Sequence, residues 1–181
     1  MAERSPRNSD DGPVGDRLQP SLLDRLTDDE PLQRSEPMGT AAMTRTRLRH
    51  AVLRDLAWLF NASNLESEVS FEGHPHARAS TINFGVTPLA GTKLSDIDFA
   101  DIDHALRDAI IAFEPRLIPG TVQVRSVATK DLLSLHNTLA FEVRAKLWST
   151  PYPLELLLRS NLDLETGHVI LQEQTGPAPA A

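Results

Sequence analysis

The chain has 181 residues, of which 40% are hydrophobic and 24% charged, and this composition fits one soluble domain with a sizeable core. Its net charge of −7 argues against a general nucleic-acid binder, because such proteins usually carry a basic face. Cysteine is absent, which excludes disulfides, thiolate catalysis and cysteine-based zinc sites. The sequence has neither an apolar run of bilayer length nor the apolar core of a secretory signal, so we expect a cytoplasmic protein.

The N-terminal region is predicted to contain a tail, a short helix and a linker. Residues 1–17 are polar and lack apolar side chains for a core, so they are predicted to be disordered. In "LQPSLLDRLTDDEP", Ser21 is a suitable N-cap for a helix that carries Leu22, Leu23 and Leu26 on one side. Prolines then interrupt the chain, and residues 18–40 are interpreted as a docking helix and linker.

This leucine-bearing segment has two interpretations. Isolated helices of this length are marginal in water, so three leucines do not suffice to fold it alone. Together with the tail and linker, the segment suggests docking in a groove of another protein, a common use of such spacing. Packing of the same leucines on the chain's own domain fits the pattern equally well.

Two longer helices are predicted from apolar residues that recur every three or four positions. The first is "TRTRLRHAVLRDLAWLFNAS", ending at Asn61 or Asn64, with its arginines read as a solvated face. The second covers about 99–113 and should end at Glu114, because the residue before a proline disfavours helix. The two predicted apolar stripes are Leu48, Val52, Leu56, Leu59 and Phe60, and Ile102, Leu106, Ala109, Ile110 and Phe113.

The rest of the sequence, from residue 62 onward outside the second helix, predicts a small antiparallel sheet. Residues 62–95 hold only short apolar pieces, and "STINFG" fits either a short strand or one helical turn. Alternating patterns then predict strands in "GTVQVRSV", "LAFEVRAKLW", "YPLELLLRSNLDL" and "HVILQ". We therefore expect an α+β domain over residues 41–173, with the sheet packed on two main helices, and a loose tail over 174–181.

Constellations for catalysis or metal binding are weak. His74 and His76 lie near Glu72, but a zinc site needs three or four converging ligands and no third histidine follows at ligand spacing. Glu66, Glu68, Glu72 and Glu114 are glycosidase candidates by residue type alone, and the few aromatics are mostly patterned inward rather than lining a sugar cleft. Phosphate loops and nucleophile elbows are also missing. We expect no cofactor, metal, nucleic acid or small-molecule substrate.

The triplet Glu114, Pro115 and Arg116 also has two interpretations. As structure, Glu114 and Arg116 form a local ion pair at a helix end, which contributes little if it is exposed. As function, Pro115 fixes the backbone and presents a charged pair to another protein, where arginine grips a carboxylate with two hydrogen bonds.

Four motifs in order resemble a known family. They are the hook "LLDRL" at residues 22–26, the helix motif "RDL.WL.N", "NFG" at 83–85 and the Glu-Pro-Arg triplet. This order is similar to that of the type VI secretion baseplate wedge subunit, the TssE type, which in turn resembles a phage T4 baseplate wedge protein once labelled a lysozyme. The resemblance covers about residues 17–171, and "TINF" stands where a "LNYG"-like run is expected.

The resemblance implies a structural subunit that links the baseplate to the contractile sheath and helps to start sheath assembly. Implied partners are wedge subunits of the TssF, TssG and TssK types and sheath subunits of the TssB and TssC types. The implied location is a baseplate docked at the inner membrane, on its cytoplasmic side. Implied protein-binding residues are Glu114, Pro115 and Arg116, and the hook residues Leu22, Leu23, Asp24, Arg25 and Leu26.

The sequence leaves two alternative functions open. One is a peptidoglycan hydrolase, as the older lysozyme label would have it. The other is a cytosolic interaction adaptor unrelated to secretion. The resemblance favours neither, and an enzyme is not expected.

Overall fold

A computed structural model describes residues 20–27, 32, 43–92, 98–127 and 138–174. The helices in these ranges are α1 (Leu22–Leu26), α2 (Arg45–Phe60), α3 (Pro75–Arg78) and α4 (Phe99–Phe113). The strands are β1 (Gln123–Val127), β2 (Thr138–Leu147), β3 (Leu154–Asp163) and β4 (Val169–Glu173). None of the helices in the described ranges is long and apolar enough to cross a bilayer. The predicted tails, apart from Gln174, and most of the predicted linker lie outside the described residues, and the domain limits at 41 and 173 stay predictions.

The sheet is an antiparallel meander in the order β1-β2-β3-β4. Its two long central strands pair over their full length, from Thr138↔Asp163 to Leu147↔Leu154. Alternate residues of β2 point into the core, as the period-two pattern predicts: Leu139, Phe141, Val143, Ala145 and Leu147 are all buried. The predicted α+β fold with an antiparallel sheet is confirmed.

The two long helices supply the other half of the core. All five predicted stripe residues of α2 are buried, with Val52 and Leu56 fully covered. On α4, Ile102, Leu106 and Ile110 are buried, and Ala109 and Phe113 pack partly against them. The predicted ends are confirmed, since α2 ends with Asn61 as its C-cap and α4 with Glu114.

The segment between the long helices is more structured than a loop. It contains α3 and two 3₁₀ turns, Leu65–Ser67 and Thr81–Asn83, so "STINFG" is a helical turn capped by Ser80 rather than a strand. Asn83 is buried and accepts a hydrogen bond from the Glu66 backbone N–H at 2.9 Å. Its side-chain amide also donates to the Arg78 carbonyl at 3.1 Å, so a single residue ties the segment together.

Both free edges of the sheet are partly capped by side chains from the neighbouring helices. On β4, the Val169 N–H donates to the Asn61 amide oxygen at 2.9 Å, and the Asn61 amide nitrogen donates to the Val169 carbonyl at 2.9 Å. On β1, the Ser126 N–H donates to the Asp103 carboxylate at 3.1 Å. Such capping limits unwanted pairing with other chains.

Candidate assembly site

The Glu-Pro-Arg triplet forms a tight corner between α4 and the end of β2. The Glu114 N–H closes the last turn of α4, donating to the Ile110 carbonyl at 2.9 Å. After the turn, the Trp148 N–H donates to the Arg116 carbonyl at 2.8 Å, and the Ile118 N–H to the Lys146 carbonyl at 2.9 Å. These bonds fix the backbone on both sides of Pro115, which is itself exposed. The corner is therefore held rigidly against the sheet.

Glu114 is buried beneath its partner. Only 3% of Glu114 is exposed, and its carboxylate accepts from Arg116 Nε at 2.7 Å and from Nη2 at 2.5 Å. The Arg116 backbone N–H adds a third bond at 3.1 Å. The predicted ion pair is confirmed, but it is bidentate and mostly shielded from water. Glu114 consequently positions Arg116 in the free chain, while Pro115 and part of Arg116 form the outer surface.

The corner continues into a row of alternating charges that we call the charge ladder: Glu114, Arg116, Asp55, Arg54 and Asp24. Arg116 Nη2 donates to Asp55 at 2.5 Å, and Asp55 accepts from Arg54 Nε at 2.8 Å. Arg54 Nη1 then donates to Asp24 on α1 at 2.7 Å. The ladder thus joins the end of α4, the middle of α2 and the N-terminal helix.

The helix α1 lies on the domain through a polar contact, with its leucines turned outward. Asp24 is held by Arg54 and by the Ser21 hydroxyl, which donates to it at 2.6 Å. Leu22, Leu23 and Leu26 are 71%, 42% and 74% exposed. The interpretation that these leucines pack on the chain's own domain is wrong, since Asp24 rather than the leucines holds α1 there. Docking of the hook on another protein stays a prediction.

The ladder contacts shift the pKa values of Asp24, Arg54 and Arg116 towards the charged forms. Burial alone would raise the pKa of Asp24, but hydrogen bonds from Ser21 and Arg54, with the nearby charge of Arg116, lower it below the ordinary value. Burial likewise opposes the charged form of Arg116, yet its bonds to Glu114 and Asp55 raise its pKa. The ladder contacts therefore favour the charged forms of Asp24 and Arg116.

Large exposed aromatic side chains lie on α2 and in the turn that follows β2. Trp58 lies one turn beyond Arg54 on α2, with the Arg54 guanidinium 5.2 Å from its ring centre, and it is 53% exposed. Trp148, next to the corner through its backbone bond to Arg116, is 61% exposed, and Tyr152 is 74% exposed. Aromatic residues beside arginine are the side chains most often found at the energetic centre of protein interfaces. The expectation that the aromatics mostly face inward does not hold for these three or for Phe99, which is 41% exposed.

Of the acids proposed for hydrolysis, Glu66, Glu68 and Glu72 line one open pocket of about 470 Å³ in the 62–92 segment, whereas Glu114 lies apart at the corner. A pocket of about 390 Å³ opens beside the N-terminal half of α4, and Asp101 is the one acid among its described lining residues. Glu66 instead binds Arg78 in the 62–92 segment, and both oxygens of Glu114 accept from Arg116. Among the described residues, His74 and His76 form no cluster with a third metal-binding side chain.

The corner and the 62–92 segment lie within a stretch that matches a family model. The model for "Baseplate wedge protein gp25" matches residues 46–152, which is more than half of the chain. The chain belongs to the gp25 baseplate wedge family. No curated protein and no solved structure gives a significant match. Family membership confirms the resemblance drawn from the motifs and supports a structural role in a phage-tail-like baseplate.

Two of the four motifs in this gp25-family chain have a clear structural role. In "NFG", Asn83 ties the connecting segment together, Phe84 packs edge-to-face on Phe113 with ring centres 5.4 Å apart, and Gly85 allows a close backbone approach. In "RDL.WL.N", Arg54 and Asp55 are ladder members, Trp58 lies exposed beside Arg54, and Asn61 caps β4.

Sequence reasoning missed the ladder because its members are far apart in the chain. Asp55 lies 61 residues from Arg116, and Asp24 lies 30 residues from Arg54. The interpretation of the α2 arginines as a solvated face is incomplete, since Arg54 is in the ladder and Arg49 pairs with Glu173 on β4. The adjacent opposite charges of Arg54 and Asp55 on the polar side of an amphipathic helix were the one available signal.

Proposed function

We propose that this gp25-family chain is a non-enzymatic subunit of a type VI secretion baseplate wedge, of the TssE type, that links the baseplate to the contractile sheath and helps to start sheath assembly. Its partners are wedge subunits of the TssF, TssG and TssK types and sheath subunits of the TssB and TssC types. It acts in the cytoplasm, at a baseplate docked on the inner membrane. The observation that carries the proposal is the rigid Glu-Pro-Arg corner, flanked by exposed aromatics, in a baseplate wedge family member.

The corner is proposed as the contact with other wedge subunits. Glu114 holds Arg116 in place from below, and Pro115 and Trp148 provide exposed surface beside it. The hook contributes through Leu22, Leu23, Arg25 and Leu26, which are exposed, whereas Asp24 fixes the hook on α2. Burial of aromatic and leucine side chains around a fixed guanidinium is an arrangement suited to specific protein binding.

The sheet edge is proposed as the place where sheath strands add. β1 and β4 are the two edge strands of the described sheet. On β4, Asn61 occupies the polar groups of Val169, and by alternation the outward groups of Leu171 and Glu173 remain for pairing. On β1, Asp103 occupies the Ser126 N–H. A long helix contacts each edge strand, α4 on β1 and α2 on β4. Strand addition through main-chain hydrogen bonds uses an edge of this kind.

Fluorescent sheath imaging in the producing bacterium tests the corner and the hook. Trp148→Ser changes an exposed corner residue, and a Leu22→Ser/Leu26→Ser pair changes the hook, so both should leave folding intact and abolish sheath assembly. Ile82→Ser is the matched control, because Ile82 is 66% exposed but lies in the connecting segment away from the ladder. Normal contractile sheaths in both test strains would overturn the proposed contacts.

Two further measurements separate the alternatives. Charge reversal at Glu114 and Arg116, one at a time, should stop sheath assembly. The combined swap Glu114→Arg/Arg116→Glu tests whether an ion pair at these two positions is enough for assembly, whichever residue carries which charge. Release of muropeptides by the pure protein, abolished by Glu114→Gln, would instead establish a hydrolase. A gene neighbourhood without sheath and wedge genes would favour a freestanding adaptor.

A further inference from the structure

The two edge strands of the described sheet differ in how much of their backbone is already occupied. In an antiparallel strand, every second residue directs its N–H and C=O groups away from the neighbouring strand. The Gln174 N–H donates to the Leu157 carbonyl at 2.9 Å, so the even-numbered residues of β4 bond to β3. The odd-numbered residues Val169, Leu171 and Glu173 therefore direct these groups towards the free edge.

On β1, side chains of α4 occupy outward groups near both ends of the strand. The Ser126 N–H donates to the Asp103 carboxylate at 3.1 Å. Just before the strand, Arg107 Nε donates to the Val122 carbonyl at 3.4 Å. Val124 lies between these two contacts, so an added strand would meet α4 side chains on either side of it.

On β4, a side chain occupies outward groups at one end of the strand alone. Asn61 bonds to the Val169 N–H and carbonyl. Arg49 lies at the other end, but it bonds to the Glu173 side chain and to a β3 carbonyl rather than to the β4 backbone. Within the described chain, the outward groups of Leu171 and Glu173 have no hydrogen-bond partner. The strand thus offers four main-chain groups in a row for pairing.

The side chains of β4 also favour an added strand. Its sequence "VILQE" contains neither lysine nor proline, which edge strands commonly use against pairing. Its one charged side chain, Glu173, is paired with Arg49. By alternation with the core residues Val169 and Leu171, Ile170 lies on the face of the sheet away from the helices, and it is 55% exposed. A neighbouring strand would cover this apolar side chain.

We infer that β4, rather than β1, accepts the added strand, and that Asn61 ends the pairing after Leu171. The inference rests on the proposed function, which supplies a sheath subunit as the partner. The pairing segment of that subunit is extended and short, because two outward residues of β4 are open to it. It carries an apolar side chain opposite Leu171 on the helix-facing side and a second one beside Ile170 on the other side.

Amide hydrogen exchange in the purified full chain, on the millisecond scale, tests the edge. In the isolated chain, the Leu171 and Glu173 amides should exchange about five- to tenfold faster than the Val169 amide, which a hydrogen bond protects. Addition of purified subunits of the TssB and TssC types from the same bacterium should slow exchange at Leu171 and Glu173 and leave Val124 unchanged. Slowing at Val124 alone would overturn the choice of β4. Binding that slows exchange at neither edge would overturn strand addition and the inference with it.

Proline substitution tests the same edge in the producing bacterium. Leu171 and Val124 each lie in mid-strand with an outward N–H that the sheet does not use, a position where proline is tolerated. Leu171→Pro should reduce fluorescent sheaths to the level of a strain that lacks the gene. Leu171→Ala shortens the same side chain but keeps the N–H, so it should retain sheaths. Val124→Pro and Val124→Ala are the matched pair on β1 and should resemble each other, with thermal unfolding of all four proteins as the check on folding.

The outcomes separate the choice of edge from the proposed function. Sheaths lost in Val124→Pro but kept in Leu171→Pro would assign strand addition to β1 and leave the proposed function standing. Equal loss in two folded proline variants would also overturn the choice of β4. Normal sheaths in a strain that lacks the gene would overturn the proposed function instead. The exchange rates of the isolated chain would then still report an open β4 edge, because they do not depend on a partner.

Discussion

Glu114 combines a conformational role with an electrostatic one. As the last residue before Pro115 it ends α4, and as a carboxylate with three bonds from Arg116 it fixes the direction of the guanidinium. Its burial excludes the view that the triplet simply displays a solvated pair of charges. In the proposed assembly contact, Glu114 acts indirectly, through the geometry of Arg116.

Glu114→Ala should destabilise the chain by about 3 kcal/mol, because it leaves a partly buried guanidinium short of its main partner. Glu142→Ala is the matched control, since Glu142 bonds to Arg159 and Arg144, which are about half exposed on the sheet surface. Exposed pairs contribute about 0–1 kcal/mol, so this control should cost much less. Urea denaturation of the two variants measures the difference, and equal losses would show that burial of the corner pair adds nothing.

Gly85 is a second residue whose identity follows from geometry. Its φ of +131° is unfavourable for other residues, and an added Cβ would lie 2.4 Å from the Ala62 carbonyl oxygen. The close approach allows the Val86 N–H to donate to that carbonyl at 2.9 Å, which closes the segment onto the end of α2. The "NFG" motif is thus explained by folding needs.

Gly85→Ala should therefore cost clearly more stability than Gly73→Ala. Gly73 also has a positive φ, but nothing lies within 4 Å of the added Cβ, so the loss there should be about 1–2 kcal/mol. The steric overlap at Gly85 should add about 1–3 kcal/mol. Thermal unfolding of both variants compares them, and similar melting temperatures would contradict the close approach.

At the scale of elements, the docking of α1 is set by an ion pair rather than by apolar burial. Asp24 carries a pKa below its ordinary value because the charged form is held by Ser21 and Arg54. A carboxylate whose pKa is lowered on docking stabilises the docked state above its free pKa of about 3.9. That contribution is lost as the pH falls through the lowered pKa.

We therefore expect α1 to stay docked above about pH 4 and to detach progressively at lower pH. The amide chemical shifts of Ser21–Thr27, followed by NMR as the pH is lowered, report this change. Asp24→Asn should show weakened docking at neutral pH and no such transition. A transition of equal size in the Asn variant would assign the pH dependence to another group.

At the scale of the whole molecule, side chains that bond to the sheet edges limit pairing between copies of the chain. Asn61 supplies both a donor and an acceptor to Val169, as a neighbouring strand would. It also donates to the Ala57 carbonyl at 2.8 Å, so the cap is anchored on α2. The chain thereby shortens the edge that it offers to other copies.

Asn61→Ala should lower stability by about 1–3 kcal/mol through the lost hydrogen bonds and should promote self-association at high concentration. Asn64→Ala is the matched control. Asn64 lies three residues after Asn61, and its side chain accepts from the Ser67 N–H in a 3₁₀ turn rather than from the sheet. Sedimentation velocity over a range of concentrations compares the variants. Equal self-association of the two variants would show that Asn61 does not protect the β4 edge from pairing with other copies.

Much of this architecture was predictable because it depends on local periodicity. The apolar stripes of α2 and α4, the alternation in β2 and the stop before Pro115 all follow from spacing within one element. The ladder and the Asn61 cap were not predictable, because they join residues that are distant in sequence and depend on how the helices lie on the sheet. The structure of the 62–92 segment was not predictable for another reason, since its short turns are held by Asn83 and Gly85 rather than by an apolar repeat.

The positions of the two tryptophans give the chain a built-in optical probe. Trp58 and Trp148 are the two indoles of the sequence, and both are more than half exposed near the corner. In the folded monomer, their fluorescence should already resemble that of indoles in water, so unfolding should shift the emission wavelength little. Covering the corner should shift the emission to shorter wavelength, and capture by a partner can thus be followed without any label.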